Sequence, residues 1–165
     1  MINKFEEDFK TDLSVVTPTF QRPGEVSELL TNLCHQTVLP KDVFIVDGSC
    51  KDDFRTKLVV EDYIEKVPFR CHYLNQGGGT AIQRNYGIDK ARGVFVALVD
   101  DDIRLEPNFF EIILNIFFFD REYEIGGITG YIINQHLDSK TSKRWMLYRK
   151  LRLFKTYQPG KFDFD

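Results

Sequence analysis

The sequence predicts an α/β fold: a doubly wound, mostly parallel sheet with helices on both faces. Three observations predict it. Short apolar runs alternate with segments whose apolar residues recur at helical spacing, and repeated strand–helix units require parallel strands joined by right-handed crossovers. The run Val94-Phe-Val-Ala-Leu-Val99 has no polar alternation, which reads as a strand covered on both faces, the usual state of a central strand. Turn-forming or charged residues follow each strand, and ligands of open α/β sheets bind beyond the carboxyl ends of the strands.

Each element has its own signal. Leu13-Ser-Val-Val-Thr17 is a short strand ending at Pro18. Between Gly24 and Gln36, Val26, Leu29, Leu30 and Leu33 fall on one helical stripe. Val43-Phe-Ile-Val46 is a second strand, with Asp47-Gly48-Ser49 as its turn. A charged helix is expected over Lys51 to Lys66, turning Phe54, Leu58, Val59 and Tyr63 inward and stopped by Pro68. Phe69 to Leu74 is the third strand. Gly77-Gly78-Gly79 then precedes a helix to about Ala91, with Gly93 as its exit. After the fourth strand, Pro107 stands at a plausible first helical position and opens a Phe-rich helix to Phe119, expected to be buried and far too short to span a bilayer.

Composition narrows the function classes. A chain of 165 residues, 42% hydrophobic, is one domain long enough to bury a real core. Residues 1–130 read as that core and 131–165 as a separate C-terminal extension. A net charge of −3 argues against nucleic acid as a partner. Cys34, Cys50 and Cys71 include no C-x-x-C pair, which argues against a zinc site and a disulfide framework and suits a reducing compartment. The first twenty residues carry four acidic groups and no apolar core, so no signal peptide is read and a cytoplasmic location is expected. Lys140 to Lys155 holds seven basic residues and no acidic one, interleaved with Trp145, Met146, Leu147, Tyr148, Leu151, Leu153 and Phe154. Such a segment either packs its apolar side on protein or touches an anionic membrane surface or lipid-linked acceptor.

The chemistry concentrates at strand ends. Asp100-Asp101-Asp102 places three repelling carboxylates together, which suits a divalent cation and the anion it carries; the alternative is a solvated acidic loop. Carboxylates are hard oxygen ligands, and Mg²⁺ or Mn²⁺ held by one or two of them completes its shell with substrate phosphate. Pro18, Thr19, Phe20 and Arg22 follow the first strand and Asp47 ends the second. The triglycine, Gly79 above all, is either a flexible turn or a close backbone approach to an anion at a helix N-terminus. It is neither a Walker loop nor G-x-G-x-x-G, whose third glycine is replaced by Ile82. Arg84 and Asn85 lie on the first turns of the following helix, where an arginine clamps phosphate, holds a carboxylate or faces solvent.

Together, Val15-Val-Thr-Pro-Thr-Phe-Gln-Arg22, Ile45-Val-Asp-Gly-Ser49, Gln83-Arg-Asn-x-Gly87 with Ala91-x-Gly93, and Leu98-Val-Asp-Asp-Asp102 resemble a family 2 glycosyltransferase. The match runs from about Leu13 to Gly130. The resemblance implies a GT-A fold of the nucleotide-diphospho-sugar transferase type, a nucleotide-diphosphate sugar donor (UDP favoured), Mn²⁺ or Mg²⁺, and inverting transfer to a saccharide or lipid-linked acceptor. It implies that Pro18, Thr19 and Phe20 border the nucleotide, that Asp47 meets the base edge, and that Arg84 and Asn85 lie beside it. Asp100 and Asp102 then match the outer positions of the family's D-x-D motif, Asp102 touching the metal and Asp100 near the ribose or the metal's water shell, with Asp101 between them on the donor.

Departures from the pattern matter. One acidic residue, Asp47, precedes Gly48-Ser49 where the family commonly has two acidic or polar residues. Gln83 replaces a usual alanine, a change expected to be tolerated on a helix. Aspartate at all three positions lets the metal frame slide by one residue. Only 35 residues follow Gly130, so the acceptor side with its catalytic carboxylate is expected to be incomplete and no base is named. The isolated donor half, or a non-catalytic nucleotide-sugar-binding module, is therefore the alternative. A haloacid-dehalogenase-type phosphatase and a receiver-like module both need acidic residues after the first strand, where Thr17-Pro18-Thr19 stands.

Overall fold

The computed structural model describes residues 12–131. The chain divides into two compact units, residues 1–126 and 127–165, and every helix and strand described lies in the first. They run β1 (Leu13–Thr19), α1 (Pro23–Cys34), β2 (Asp42–Asp47), α2 (Arg55–Tyr63), β3 (Arg70–Asn75), α3 (Thr80–Lys90), β4 (Phe95–Leu98) and α4 (Phe109–Phe119). The sheet order is β3-β2-β1-β4 and every pairing is parallel, with helices on both faces, as the element pattern requires.

Burial explains why the strands read as unbroken apolar runs. β1 and β2 are buried at every position. Alternate residues Leu13, Val15, Val43, Ile45 and Cys71 share a core with Val26, Leu29, Leu30 and Leu33 of α1, Val60 of α2 and Phe110 and Leu114 of α4. The intervening residues Val16, Phe44 and Val46 pack on the other face, against Tyr86 and Ala91 from α3 and its exit. α3 approaches the sheet closely at Gly87, where a Cβ would overlap Val16 Cγ1 and stand 3.1 Å from Val46 Cγ2.

β1 runs past Pro18 to Thr19 rather than ending there. The Val16 carbonyl accepts from Val99 N at 3.1 Å, so Pro18, two residues on, turns its nitrogen to the same edge. Pairing with β4 stops at Val16↔Leu98, and the missing N–H falls beyond the last pair.

β4 is not the covered central strand that its composition predicts. It lies at the edge of the described sheet, with Phe95 and Ala97 packed on the core while Leu98 is 50% exposed. α3 packs over β1 and β2, which leaves its side of β4 uncovered. An apolar run records what a strand tolerates on each face, not which neighbours are present.

The helices differ from expectation for similar reasons. α2 starts at Arg55, and this shorter helix turns Thr56 and Val60 inward, leaving Leu58 62% exposed and Phe54 exposed before it. α4 buries Phe110 and Leu114 but exposes Ile112, Ile116 and Phe119, so it is half-buried. Pro107 precedes its cap, Asn108, instead of opening its first turn. Among the described residues no helix is long and apolar enough to cross a membrane. Lys140 to Lys155 lies outside the described residues.

Candidate functional site

At the carboxyl ends of β1 and β4 lies a cleft of about 280 Å³. Pro18, Thr19, Phe20, Arg22, Asp100, Asp101 and Asp102 line it, as expected, and Thr80 and Gln83 from α3 complete it. A larger groove of about 580 Å³ on α4, lined by Ile112, Ile116, Phe119 and Ile125, is mainly apolar and lacks this set of charged groups.

The aspartates sit in a turn closed by Ile103 N donating to the Asp100 carbonyl at 3.2 Å, and their side chains diverge. Asp101 points inward and is buried: Thr19 Oγ1 donates to its Oδ2 at 2.7 Å and Arg22 Nη1 to its Oδ1 at 3.1 Å. Asp100 and Asp102 are exposed on either side. Arg22 Nη1 also donates to Asp102 Oδ2 at 3.2 Å, and Arg84 Nη2 donates to Asp100 Oδ1 at 2.5 Å. The Asp101 carboxylate, then Asp102, raise the Arg22 guanidinium above its ordinary value. Asp100 and Asp102 are thus the exposed members of the three, each paired with one arginine.

Among the described residues, no three His, Cys, Asp or Glu side chains converge to hold a metal ion by themselves. Exposed Asp100 and Asp102 still fit a hard cation that takes one or two carboxylates and fills its shell with water and phosphate oxygens.

The acidic segment is tied down from below by α1. Arg104 donates through Nη1 to the Asp101 carbonyl at 2.9 Å, and through Nη2 to Glu25 and Glu28 at 2.7 and 2.6 Å. Asn32 pairs with the backbone of Leu105 in both directions, Nδ2 to the carbonyl at 3.0 Å and Oδ1 from the N–H at 2.9 Å. Gln36 Nε2 donates to the Glu106 carbonyl at 2.8 Å, and Thr37 N to the Pro107 carbonyl at 2.8 Å.

Asp47 does not line the cleft. It is 0% exposed, and its Oδ1 accepts from Ser49 N at 2.9 Å and Ser49 Oγ at 2.5 Å. Tyr73 donates to its Oδ2 at 3.1 Å; burial, then the Asp47 charge, push that phenol up to about 12, so it stays a donor. Ser49 in turn accepts from Gln21 N at 2.9 Å. The carboxylate thus braces the turn after β2 against the turn after β1.

Gln83, expected to be tolerated on its helix, has a structural task there. It is buried, and its Nε2 donates at 2.7 Å to both the Thr19 and Val46 carbonyls, joining the ends of β1 and β2 to α3. The signal available in the sequence was its place one turn before Gly87, on the face that packs against the sheet. Gly78 and Gly79 have φ of 106° and 94°, a region that disfavours a side chain, so the triglycine is a defined turn into α3. Gly79 itself caps the helix behind the cleft, Arg84 reaches Asp100 from the second turn, and Asn85 is exposed outside the lining.

Known proteins resemble this chain in sequence and fold. The model for "Glycosyl transferase family 2" matches residues 14–165. The "Minor teichoic acid biosynthesis protein GgaB" of Bacillus subtilis (strain 168) is 26% identical over 113 residues, covering 68% of this chain and 13% of that protein. The crystal structure of S. aureus TarS 1-349 in complex with UDP superposes with TM-score 0.54 at 28% identity, covering 74% of this chain and 38% of that one. The same TarS fragment in complex with UDP-GlcNAc gives 0.50 at 29% identity, covering 74% and 37%. The chain therefore spans well under half the length of these relatives.

Proposed function

We propose that this chain, which belongs to glycosyl transferase family 2, holds a UDP-sugar in the cleft between Phe20 and the aspartates and serves as the donor side of an inverting, metal-assisted sugar transfer. The observation that carries the proposal is the convergence of Thr19, Arg22, Thr80 and three aspartates on one cleft at the strand ends. One structural relative, TarS, has structures in complex with UDP and with UDP-GlcNAc, which supports a UDP-sugar.

Each group has a task. Phe20, 57% exposed at the cleft mouth, offers an aromatic face to the base. Asp47 acts behind the wall, holding Ser49 in place. Arg22 and Arg84 supply cationic N–H donors to phosphate oxygens. Asp100 and Asp102 would hold Mn²⁺ or Mg²⁺, which when bound neutralises the diphosphate leaving group and orients it. The positive end of α3 lies behind the same charge. The acceptor, a saccharide or lipid-linked hydroxyl, approaches from the side opposite the leaving group, and a single displacement inverts the anomeric centre.

A second proposal is that this chain supplies the donor half alone. Among the described residues the three aspartates are the only carboxylates lining the cleft, and Asp138, Asp163 and Asp165 lie outside the described residues. General-base catalysis contributes about 10²–10⁴-fold.

Calorimetry with UDP, with Mn²⁺ or with chelator, tests the donor site. UDP should bind in the presence of the ion, and Asp102→Ala should abolish the metal-dependent part. Equal affinity with and without chelator would remove the metal. Transfer to simple and lipid-linked acceptors, compared with hydrolysis of the donor, separates a complete enzyme from a donor half.

A further inference from the structure

Arg22 is held unlike the other arginines paired with carboxylates. Arg70 grips Asp42 through two nitrogens at 2.7 and 2.9 Å, and Arg104 meets Glu25 and Glu28 at 2.7 and 2.6 Å. Arg22, like Arg104, divides one nitrogen between two carboxylates, but it meets Asp101 and Asp102 at the longer distances of 3.1 and 3.2 Å. Charge-assisted bonds are normally about 2.7–2.9 Å. Its side chain is 53% exposed, and among the described residues its Nε and Nη2 make no hydrogen bond.

The backbone beneath this loosely held head is firmly set. Gln21, just before it, has φ of 56° and is held by Ser49 Oγ. Pro23, just after it, restricts Arg22 itself, which also caps α1. A non-glycine residue at positive φ persists where its surroundings over-determine it, and such positions cluster at ligand clamps. The geometry therefore fixes where the guanidinium starts and leaves open where it points.

We propose that Arg22 is an exchangeable counter-charge. It neutralises Asp101 and Asp102 while the cleft is empty, leaves Asp102 when a divalent cation takes that carboxylate, and turns its free N–H groups onto the diphosphate oxygens that arrive with the cation. The proposal rests on the donor-site reading above. Charge favours the exchange: three carboxylates facing two guanidinium groups leave one net negative charge. A dication reverses that sign and repels Arg22, while the diphosphate attracts it.

The test measures Mn²⁺ alone, by the electron paramagnetic resonance signal of the free ion, and then UDP at saturating Mn²⁺, by calorimetry. Wild type, Arg22→Gln and Arg22→Lys are compared. In Arg22→Gln the competitor is gone, so Mn²⁺ alone should bind about 5–10-fold more tightly while UDP binds about 10-fold more weakly. Arg22→Lys keeps the charge and should leave Mn²⁺ affinity near wild type, with UDP weakened by loss of the planar fork. A merely structural arginine would lower both affinities together. Mn²⁺ affinity of Arg22→Gln at or below wild type, or no Mn²⁺ binding by either protein, overturns the exchange. Wild type that binds Mn²⁺ but not UDP overturns the donor-site reading and the diphosphate half of the proposal, while the Mn²⁺ comparison still decides the other half.

Discussion

Replacing Gln83 by methionine tests how the strand ends are joined. Methionine keeps the length and most of the volume of glutamine and removes both donors. Both the Thr19 and the Val46 carbonyls would lose their 2.7 Å bonds to the helix, while Thr19 would retain Gly48 N at 2.9 Å. Two net hydrogen bonds at about 0.5–1.5 kcal/mol each, in a site that buries the side chain, put the loss near 2 kcal/mol. For a chain of this size that corresponds to a fall of about 4–8 °C in Tm, and to about 1 M in the urea midpoint. Gln83→Glu should cost more than methionine, because a carboxylate oxygen would face two carbonyl oxygens. Urea unfolding of the three proteins, followed by circular dichroism with a common slope, gives the order directly. Gln83→Met within about 0.5 kcal/mol of wild type would refute the bridging role and leave the strand ends held by their own backbone bonds.

The remaining predictions concern packing and acid stability. Gly87→Ala should destabilise by about 1–2 kcal/mol, since overpacking against Val16 and Val46 outweighs the gain of about 1 kcal/mol in helix propensity; a rise in the unfolding midpoint would show that α3 has room to move off the sheet. Burial alone would raise the Asp42 carboxyl, but the hydrogen bonds and charges of Arg70 and His72 outweigh it and hold the group below its ordinary value. Its contribution to stability is therefore present above the unfolded carboxyl value of about 3.9 and lost as pH falls through the lower folded value. Asp42→Asn should flatten the decline in stability between about pH 5 and 2, measured as urea midpoint against pH, and an unchanged slope would count against the clasp.

The strand–helix order and the cleft-lining aspartates were legible because they depend on local pattern: apolar runs, turn residues and charges at strand ends. What escaped was long-range. Gln83 read as a tolerated change on a helix, and its bridging role depends on two carbonyl partners, from Thr19 and Val46, far away in sequence. Asp47 was recognisable as important, but its inward direction depends on Tyr73 from the next strand. Asn32, Gln36 and Arg104 carry no motif at all, since each meets partners distant in sequence: Asn32 the backbone of Leu105, Gln36 that of Glu106, and Arg104 the carboxylates of Glu25 and Glu28. β4 misled for the opposite reason: its composition permits two covered faces, and the described fold covers one.

The bonds from α1 and the turn that follows it to the segment after β4 have an evolutionary consequence. Asn32 and Gln36 address main-chain atoms of Leu105 and Glu106, and Arg104 addresses the main chain of Asp101. A side chain that recognises a peptide group does not read its partner's identity. The constraint is one-sided: Leu105 and Glu106 can drift with these attachments intact, whereas Asn32 and Gln36 cannot be replaced without releasing the segment. Mutational drift in the acidic loop and persistence of two amides, one on α1 and one just beyond its end, would then be two signs of the same restraint, and covariation between them would be weak although they touch.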